Sequence, residues 1–259
     1  MDINKILHLA ADAGRIILEN GGETYRVEET ITRICEAYGL YEAESFVTTT
    51  GIMLSITDVY GQTTSLVKRI KTRKVDLEKI SRVNDLSRNL KTMGLTADDV
   101  KDQLNRIDNI EKYSNKTIIF FSALGAAFFT LIFGGDIYDF LISFITGGLI
   151  KYLSISLSTL RVNDFFVNII GGALAALIAL VSVNLNLASN VDKIIIGSIM
   201  LLVPGLSITN AIRDTIAGDL LAGTARAVEA FLIAVGIAIG SGIVLRFWFI
   251  YFGGIWLWY

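Results

Sequence analysis

Residues 165–187 read FFVNIIGGALAALIALVSVNLNL, a run of 23 residues without a charged side chain. A bilayer core of about 30 Å needs roughly 20 apolar residues in a helix, so this run is long enough to cross it. Two more uncharged runs lie on either side in the chain, TIIFFSALGAAFFTLIFG at 117–134 and IIIGSIMLLVPGLSITNAI at 194–212. The sequence therefore predicts an α-helical polytopic membrane protein.

About five transmembrane helices are expected. The interval 137–157 is apolar but interrupted by Lys151, and the last run, 230–245, extends past Arg246 because that side chain can snorkel. The predicted spans are 117–135, 137–157, 165–185, 194–210 and 226–248, in a transmembrane domain of residues 114–259. Partners of this domain then include the lipid bilayer.

The chain before these spans has the composition of a soluble domain. Residues 1–116 carry 17 Lys and Arg with 18 Asp and Glu, whereas residues 117–259 carry only 6 and 7. The mean hydropathy of +0.56 is therefore an average over two unlike parts. No signal peptide is recognisable at the start, so residues 1–113 are expected to form a domain in the cytosol.

Periodicity predicts the order α-α-β-β-β-α-α for this domain, which makes it an α+β fold. The first helix should end at Gly21-Gly22, and Thr24 should cap the second. Short β-rich runs fill the interval 45–70, and two helices follow at about 76–91 and 96–111, the latter capped by Thr96. The expected buried positions are Ile3, Ile6, Leu7, Ala10, Ala13 and Ile17 in the first helix and Val27, Ile31, Ile34 and Cys35 in the second.

Composition also narrows the function classes. Cys35 is the only cysteine and His8 the only histidine, so a disulfide within the chain, a Cys-rich metal site or a His-based catalytic pair is not expected. No cofactor is predicted. The net charge is −2, and neither half has the basic patch that nucleic-acid binding needs.

The short loops indicate an orientation in a plasma or inner membrane. With a cytosolic amino terminus, the positive-inside rule is satisfied and the carboxyl terminus lies outside. The expected cytosolic charges are Lys112, Lys116, Arg161, Arg213 and Arg226, against Lys193 and Arg246 outside. An aromatic belt at the outer interface is predicted for Trp248, Tyr251, Trp256, Trp258 and Tyr259.

The richest polar stretch among the spans is VPGLSITNAIRDTIAGDLLAGTARAVE at 203–229. Pro204 is the only proline of the chain, and a proline inside a span should kink or break the helix. A broken helix can line a substrate cavity. The alternative is a kinked helix followed by a cytosolic amphipathic loop. The candidate pathway residues here are Pro204, Gly205, Ser207, Thr209, Asn210, Arg213, Asp214 and Asp219.

Four further polar residues in the spans are candidates because polar groups are costly there. Glu229 can form an ion pair with Arg226 three residues earlier, or it can carry protons. Lys151 can snorkel to the cytosolic face or meet a substrate carboxylate. Asn168 can serve the pathway or hydrogen-bond between helices, and the GxxxG of Gly236 and Gly240 indicates close helix packing in a larger assembly.

A second charged block opens the second helix of the cytosolic domain. Its candidate residues are Gly22, Glu23, Thr24, Arg26 and Glu28. One interpretation is a set of solvated helix faces with ion pairs such as Glu29–Arg33. The other is an interaction or gating surface against the membrane half.

Two blocks resemble the threonine/serine exporter family of the ThrE/YjjP type. They are HLAADAGRIILENGGETYRVEETITRICEAYG at 8–39 and VPGLSITNAIRDTIAGDLLAGTARAVEAFLIAVGIAIG at 203–240. Their order and spacing, with a cytosolic domain before about five spans, fit the family over essentially the whole chain. The matching positions are Gly22, Glu23, Thr24, Arg26, Glu28, Pro204, Gly205, Thr209, Asn210, Arg213, Asp214, Gly218, Asp219, Arg226 and Glu229, whose individual roles the resemblance does not imply.

The resemblance implies secondary transport, with export of amino acids such as threonine and serine or of a dicarboxylate such as succinate. Some members carry a second membrane half in the same chain, and others receive it from a separate small membrane protein. This sequence resembles the split kind, so a second small membrane subunit, a homo-oligomer or both are expected partners. The competing hypotheses are a membrane-anchored sensor or scaffold, an enzyme that acts through the cytosolic domain, and a channel.

Overall fold

A computed structural model describes residues 2–58, 60–111 and 113–252. The described residues divide into two compact units. The first unit contains the residues up to 111 together with 205–228, and the second contains 113–204 and 229–252. The chain thus leaves the first unit, forms most of the second, and returns to the first. Residues 205–210, which the sequence assigned to a membrane span, belong to the first unit.

The first unit begins with two helices and a three-stranded sheet. Helix α1 spans Ile3–Glu19 and α2 spans Thr24–Ala37, and strands β1, β2 and β3 span Ala43–Thr48, Gly51–Thr57 and Thr63–Arg69. The strands form an antiparallel meander in the order β1-β2-β3. The predicted apolar positions of both helices lie in the core of the first unit, except Ile3, which packs half-buried against it.

Two more helices complete the amino-terminal part of this unit. Helix α3 spans Leu77–Met93 and α4 spans Ala97–Asp108, close to the predicted intervals. The Asp76 side chain caps α3, and Gly94 ends it with a positive φ of 58°. Thr96 caps α4 in a capping box with Asp99, as its position in the sequence predicts. The predicted order α-α-β-β-β-α-α is confirmed.

The second unit is helical. Helices α5, α6, α7 and α8 span Asn115–Ile132, Ile137–Thr159, Asp164–Asn184 and Val191–Ile199. Helix α9, Gly205–Ile216, lies in the first unit, and the long α10, Leu220–Phe252, contributes residues to both units. Among the described residues, α5, α6, α7 and α10 are long and apolar enough to cross a membrane.

The predicted span 194–210 is not a single helix. Helix α8 ends at Ile199 and α9 begins at Gly205, so each piece is shorter than the roughly 20 residues that a crossing needs. The interruption lies immediately before and at Pro204, where a helix break was predicted. Composition counted the apolar residues on both sides of the break as one segment, and this gave a fifth span.

Helices α7 and α10 pack at backbone distance through glycines. A Cβ atom on Gly240 would lie 1.9 Å from the Ile169 carbonyl oxygen, and one on Gly172 would lie 2.5 Å from the Ile237 carbonyl oxygen. The predicted close packing of the GxxxG is therefore present as a contact between two helices of this chain. Small residues let helix backbones approach in this way.

Trp248 departs from the predicted aromatic belt. Its side chain is only 8% exposed and lies in a small core with Ala179, Leu180 and Ile194. The ring also stacks on Phe252 at 4.5 Å between centroids. Counting aromatics near the end of a span cannot tell a buried ring from one at the interface. The other predicted belt tryptophans, Trp256 and Trp258, and Tyr259 lie outside the described residues.

Candidate functional site

A two-glycine turn ends α1 and leads into α2. Gly21 has a φ of +93°, and its N–H donates to the Leu18 carbonyl at 3.3 Å. The Gly22 N–H donates to the Ile17 carbonyl at 2.9 Å, which completes a Schellman motif. A Cβ atom on Gly22 would lie 2.3 Å from Ile17 Cγ2. Both positions therefore require glycine, and the turn leaves the carbonyls of both glycines available as acceptors.

These two carbonyls bind side chains from the returning segment 205–228. Asn210 Nδ2 on α9 donates to the Gly21 carbonyl at 2.9 Å, and Arg226 Nη2 on α10 donates to the Gly22 carbonyl at 2.7 Å. Asn210 and Arg226 are 3% and 6% exposed. The turn between α1 and α2 is thus held by residues about 190 or more positions later in the chain.

The amino terminus of α2 meets two carboxylates. Thr24 Oγ1 lies 3.0 Å from Asp214 Oδ1 and 2.8 Å from Asp219 Oδ2. The prediction that Thr24 caps α2 is wrong, since Glu23 occupies the N-cap position and Thr24 is the first helical residue. The Thr24 N–H instead donates to Asp214 Oδ1 at 3.4 Å, so a distant carboxylate lies at the positive end of the helix.

A second glycine turn brings the two aspartates together. Gly218, with a φ of +97°, ends α9, and its N–H donates to the Thr215 carbonyl at 3.2 Å. The Asp219 N–H donates to the Asp214 carbonyl at 2.9 Å, which is again the pattern of a Schellman motif. This turn sets Asp219 beside Asp214 and directly before α10.

Asp214 and Arg226 form a buried ion pair. Arg226 Nε lies 2.9 Å from Asp214 Oδ2, and the Asp214 side chain is completely buried. Burial raises the pKa of Asp214 above its ordinary value, and Asp219 adds to the rise, whereas Arg226 and Thr24 oppose it. Removing one partner of such a pair strands the other charge away from water.

Glu23 joins the first helix turn of α2 to α9. Its carboxylate accepts from Arg26 Nε at 2.7 Å and pairs with the Arg213 guanidinium. Burial alone would raise the pKa of Glu23, but the hydrogen bonds from Arg26, from the backbone and from Arg213 hold it below its ordinary value. Glu23 is therefore a fixed anion between two cations.

Glu28 lies one helical turn beyond Thr24 on α2. Its Oε1 accepts from the Val47 N–H at 3.1 Å, which ties α2 to β1. Burial raises the pKa of Glu28, the Val47 N–H lowers it, and the charge of Asp219 raises it further. The charge of Asp219 thus acts on both Glu28 and Asp214.

A cleft of about 240 Å³ lies beside this cluster within the first unit. It is at the small end of ligand pockets, which commonly measure about 300–1,000 Å³, so it suits a small metabolite better than a nucleotide. It is lined by Gly21, Glu23, Arg26, Leu77, Ile80, Ser81, Asn84, Leu206 and Asn210. The lining combines a carboxylate, a guanidinium, two amides and a hydroxyl.

Comparison with known proteins assigns the chain to a family. Residues 8–248 match the family model described as "Putative threonine/serine exporter". The chain belongs to the threonine/serine exporter family. It is accordingly a membrane protein of a transporter family, and α5, α6, α7 and α10 supply helices that can cross the bilayer.

Two of the curated relatives are about twice as long as this chain. The chain is 23% identical over 247 residues to a "Probable threonine/serine exporter" of Mycobacterium tuberculosis and 26% identical over 251 residues to a "Threonine/serine exporter" of Corynebacterium glutamicum. Each match covers 93% of this chain but 46% and 51% of those relatives, so the chain spans about half their length.

A shorter relative matches from end to end. The "Probable succinate transporter subunit YjjP" of Escherichia coli is 22% identical over 244 residues, which cover 94% of each chain. No solved structure matches the sequence.

The structure brings most of the predicted residues of this family member together. Ten of them, from both sequence blocks, form the cluster of the first unit or border its cleft. They are Gly22, Glu23, Thr24, Arg26, Glu28, Asn210, Arg213, Asp214, Asp219 and Arg226.

The remaining predicted residues lie elsewhere. Thr209 is exposed and bonds the Gly205 carbonyl of its own helix at 3.0 Å, and Ser207 and Pro204 are half-buried near the start of α9. In the second unit, Lys151 lies half-buried in α6, and Glu229 lies half-buried in α10. Asn168 is 8% exposed, and its Nδ2 donates to the Asp164 carbonyl at 2.7 Å, so this bond stays within α7.

Sequence reasoning missed the buried carboxylate of Asp139 in the second unit. Asp139, at the start of α6, is completely buried and accepts from the N–H groups of Ser189 and Asn190 at 2.9 and 3.0 Å. Asn190 Nδ2 and the Asp136 N–H also donate to it. The spacing of Asp136 and Asp139 is that of a capping box, a signal that could have found this group.

Proposed function

We propose that this chain is a subunit of a secondary transporter that exports small carboxylate-bearing metabolites, either threonine- or serine-like amino acids or a dicarboxylate such as succinate. A second small membrane protein is the proposed partner. The names of the curated relatives support both substrate classes, and the match along the whole length of a transporter subunit supports the need for a partner.

The buried pair of Asp214 and Arg226 is the observation that carries this proposal. Two charges taken out of water are costly, and such groups occur preferentially at functional sites. The pair connects both sequence blocks, since it also touches Thr24 and the Gly22 carbonyl. An anchoring role would need no such buried ions, which disfavours a scaffold or sensor.

The cleft next to the pair offers a chemically reasonable substrate site. Arg26 and Asn84 can donate hydrogen bonds to a carboxylate, and Glu23 can accept from an ammonium group. A substrate with either group would find a partner there. The described residues hold no group of three His, Cys, Asp or Glu side chains placed for a metal ion.

Glu229 and Lys151 are proposed as pathway residues of the membrane-spanning helices. Both are ionisable side chains in helices long enough to cross the bilayer. Glu229→Gln should flatten the pH dependence of export if Glu229 carries protons. An unchanged pH profile would leave Glu229 a structural role only.

The proposed topology is multi-pass in the cell membrane with a cytosolic amino terminus and an external carboxyl terminus. A cysteine at position 254, which lies outside the described residues, tests it. It should react with an impermeant thiol reagent added to intact cells. Protection in intact cells and reaction after permeabilisation would place the carboxyl terminus in the cytosol.

Efflux from loaded cells tests the function itself. Cells expressing the chain alone or with a candidate small membrane partner are loaded with a panel of amino acids and dicarboxylates. Efflux that requires both proteins is expected, and Asp214→Asn should abolish it while the matched exposed change Asp192→Asn leaves it intact. No efflux of any compound, with both proteins verified in the membrane, would favour a sensor or an enzyme.

A further inference from the structure

The outer face of the three-stranded sheet carries an uncovered apolar row. On the inner face, Ile52 and Ile56 are fully buried against the helices. On the outer face, Phe46, Met53 and Val67 are 48%, 54% and 68% exposed. The strand register places these three residues side by side across β1, β2 and β3. Contiguous exposed apolar surface of this kind marks an interaction site.

Two opposite charges stand at diagonal corners of the same face. Glu44 lies in the row of Ser55 on one side of Met53, and Arg69 lies in the row of Gly51 on the other side. They belong to the two edge strands, β1 and β3. Among the strand residues that face outward they are the only charged ones, since Lys68 points inward and pairs with Asp12 at 2.7 Å.

We propose that this face binds the same face of a second copy of the chain. A two-fold interface is self-complementary, so a residue i that contacts j in the partner requires j to contact i. One acid and one base at opposite corners satisfy this condition. The two-fold axis lies between the two faces, passes over Met53 and is perpendicular to the line from Glu44 to Arg69. It places Glu44 of each copy opposite Arg69 of the other, and Met53 opposite Met53 at the centre.

The geometry agrees with known sheet packing. With strands about 4.8 Å apart and residues about 3.4 Å apart, the axis makes the strands of the two copies cross at roughly 70°, near the orthogonal class. The face measures only roughly 300 Å² per copy by the same spacings, against about 800 Å² per partner in a standard interface. The contact is therefore weak in dilute solution and is favoured by confinement of both copies to one membrane.

Cross-linking in native membranes tests the contact. Met53→Cys should give a disulfide-linked dimer of the full-length chain under mild oxidation. Burial raises the pKa of the natural thiol, Cys35, to about 12, and a Cys35→Ser background removes it altogether. Lys101→Cys, exposed on α4, is the matched control and should stay monomeric. No dimer from Met53→Cys, or equal dimer from both positions, overturns the proposal.

A charge swap distinguishes this dimer from other occupants. Glu44→Lys or Arg69→Glu, each in the Met53→Cys chain, should lower the dimer fraction by about fivefold because like charges then face each other. The double change should restore it. Singles without effect, a double that is not restored, or a cross-link to a different protein overturns the proposal. Equal protein levels in the membrane exclude misfolding, which is not expected at two exposed positions.

Discussion

Two buried aspartates, Asp139 in the second unit and Asp214 in the first, are equally inaccessible to water but are bound by different groups. Asp139 accepts four hydrogen bonds from N–H groups of neutral residues or backbone, at 2.8 to 3.0 Å. Asp214 instead contacts the Arg226 guanidinium and shares the Thr24 hydroxyl with a second carboxylate, that of Asp219.

The difference indicates that Asp139 is a structural carboxylate, whereas the hydrogen bonds around Asp214 can rearrange. Asp139 has its acceptor sites filled by groups that do not change charge, so it fixes the turn before α6 to the turn before α8. Thr24 has a single hydroxyl proton and can donate to only one of its two carboxylates at a time. A proton or a ligand cation can therefore change the arrangement around Asp214 but has little to act on at Asp139.

Arg226→Met should produce the largest change in this comparison. It leaves Asp214 buried without its cation, so the free energy of unfolding should fall by about 3–5 kcal/mol, and efflux should be lost. Denaturant unfolding of the detergent-solubilised protein measures the first effect. Arg82→Met is the matched control, since its pair with Glu78 is more than half exposed and should cost about 0–1 kcal/mol. Equal losses of the free energy of unfolding in the two variants would mean that the buried pair stabilises the protein no more than the exposed one.

Asp139→Ala should come next, with a loss of about 2–3 kcal/mol. It leaves the part-buried N–H donors of Ser189 and Asn190 without their acceptor. The same unfolding experiment measures it, with the exposed Asp192→Ala as control. Where export survives, its pH profile should keep the wild-type shape. A shifted profile would contradict the structural role given to Asp139.

The pH dependence of stability should have opposite signs at Asp214 and Glu23. The pKa of Asp214 is raised above its ordinary 3.8, so the native state binds its proton more tightly and loses stability as pH rises above that value. The pKa of Glu23 is lowered below its ordinary 4.5, so its contribution is present above that value and is lost as pH falls toward the native pKa.

Relative to wild type, Asp214→Asn should therefore become more stable as the pH rises above about 3.8, on top of a constant cost for leaving Arg226 buried without its anion. Glu23→Gln should instead become less stable relative to wild type as the pH rises toward about 4.5. Thermal midpoints measured at several pH values on both sides of these two points give both slopes. Asp98→Asn, on the exposed start of α4, should show little change. Slopes of the same sign for the two variants would contradict the assigned charge states.

Ser189→Ala should have the smallest effect. Its hydroxyl donates to Asp136 at 2.6 Å in an exposed position, so its removal should cost no more than about 0.5 kcal/mol. Thr24→Val removes a hydroxyl that bonds buried Asp214 and should cost about 1–3 kcal/mol. Unfolding midpoints of the two variants show which change costs more stability. If Ser189→Ala costs more, the polar cluster at Asp139 is the more sensitive of the two.

Local patterns in the sequence predicted the elements of the fold. Apolar residues at helical spacing gave α1 and α2, and Thr96 as the expected cap gave the start of α4. Prediction failed where the partner is distant. Thr24 has the residue type of an N-cap, but its hydroxyl bonds Asp214, which lies 190 residues later. The break predicted at Pro204 is present as the five residues between α8 and α9, but composition does not show that the residues after it join the first unit.

The candidate site was predicted as two separate sets of residues. Each block is rich in polar side chains and resembles a block of the family, and these two signals selected Glu23, Arg26, Asp214 and Arg226. Their meeting could not be predicted, because helix periodicity gives the face of each helix and not which distant helix it contacts. The cleft residues Ser81 and Asn84 were missed for the same reason, since α3 contains nothing unusual in its sequence.

The return of residues 205–228 to the first unit has a consequence for biosynthesis. At about 5–20 residues per second, synthesis of the interval 112–204 takes roughly 5–20 s. During that time the carbonyls of Gly21 and Gly22 and the start of α2 lack the partners that they have in the finished protein. The amino-terminal part therefore lacks these hydrogen bonds while the membrane helices are synthesised. A nascent chain stalled before residue 205 should be a better chaperone client and protease substrate than one stalled after residue 228.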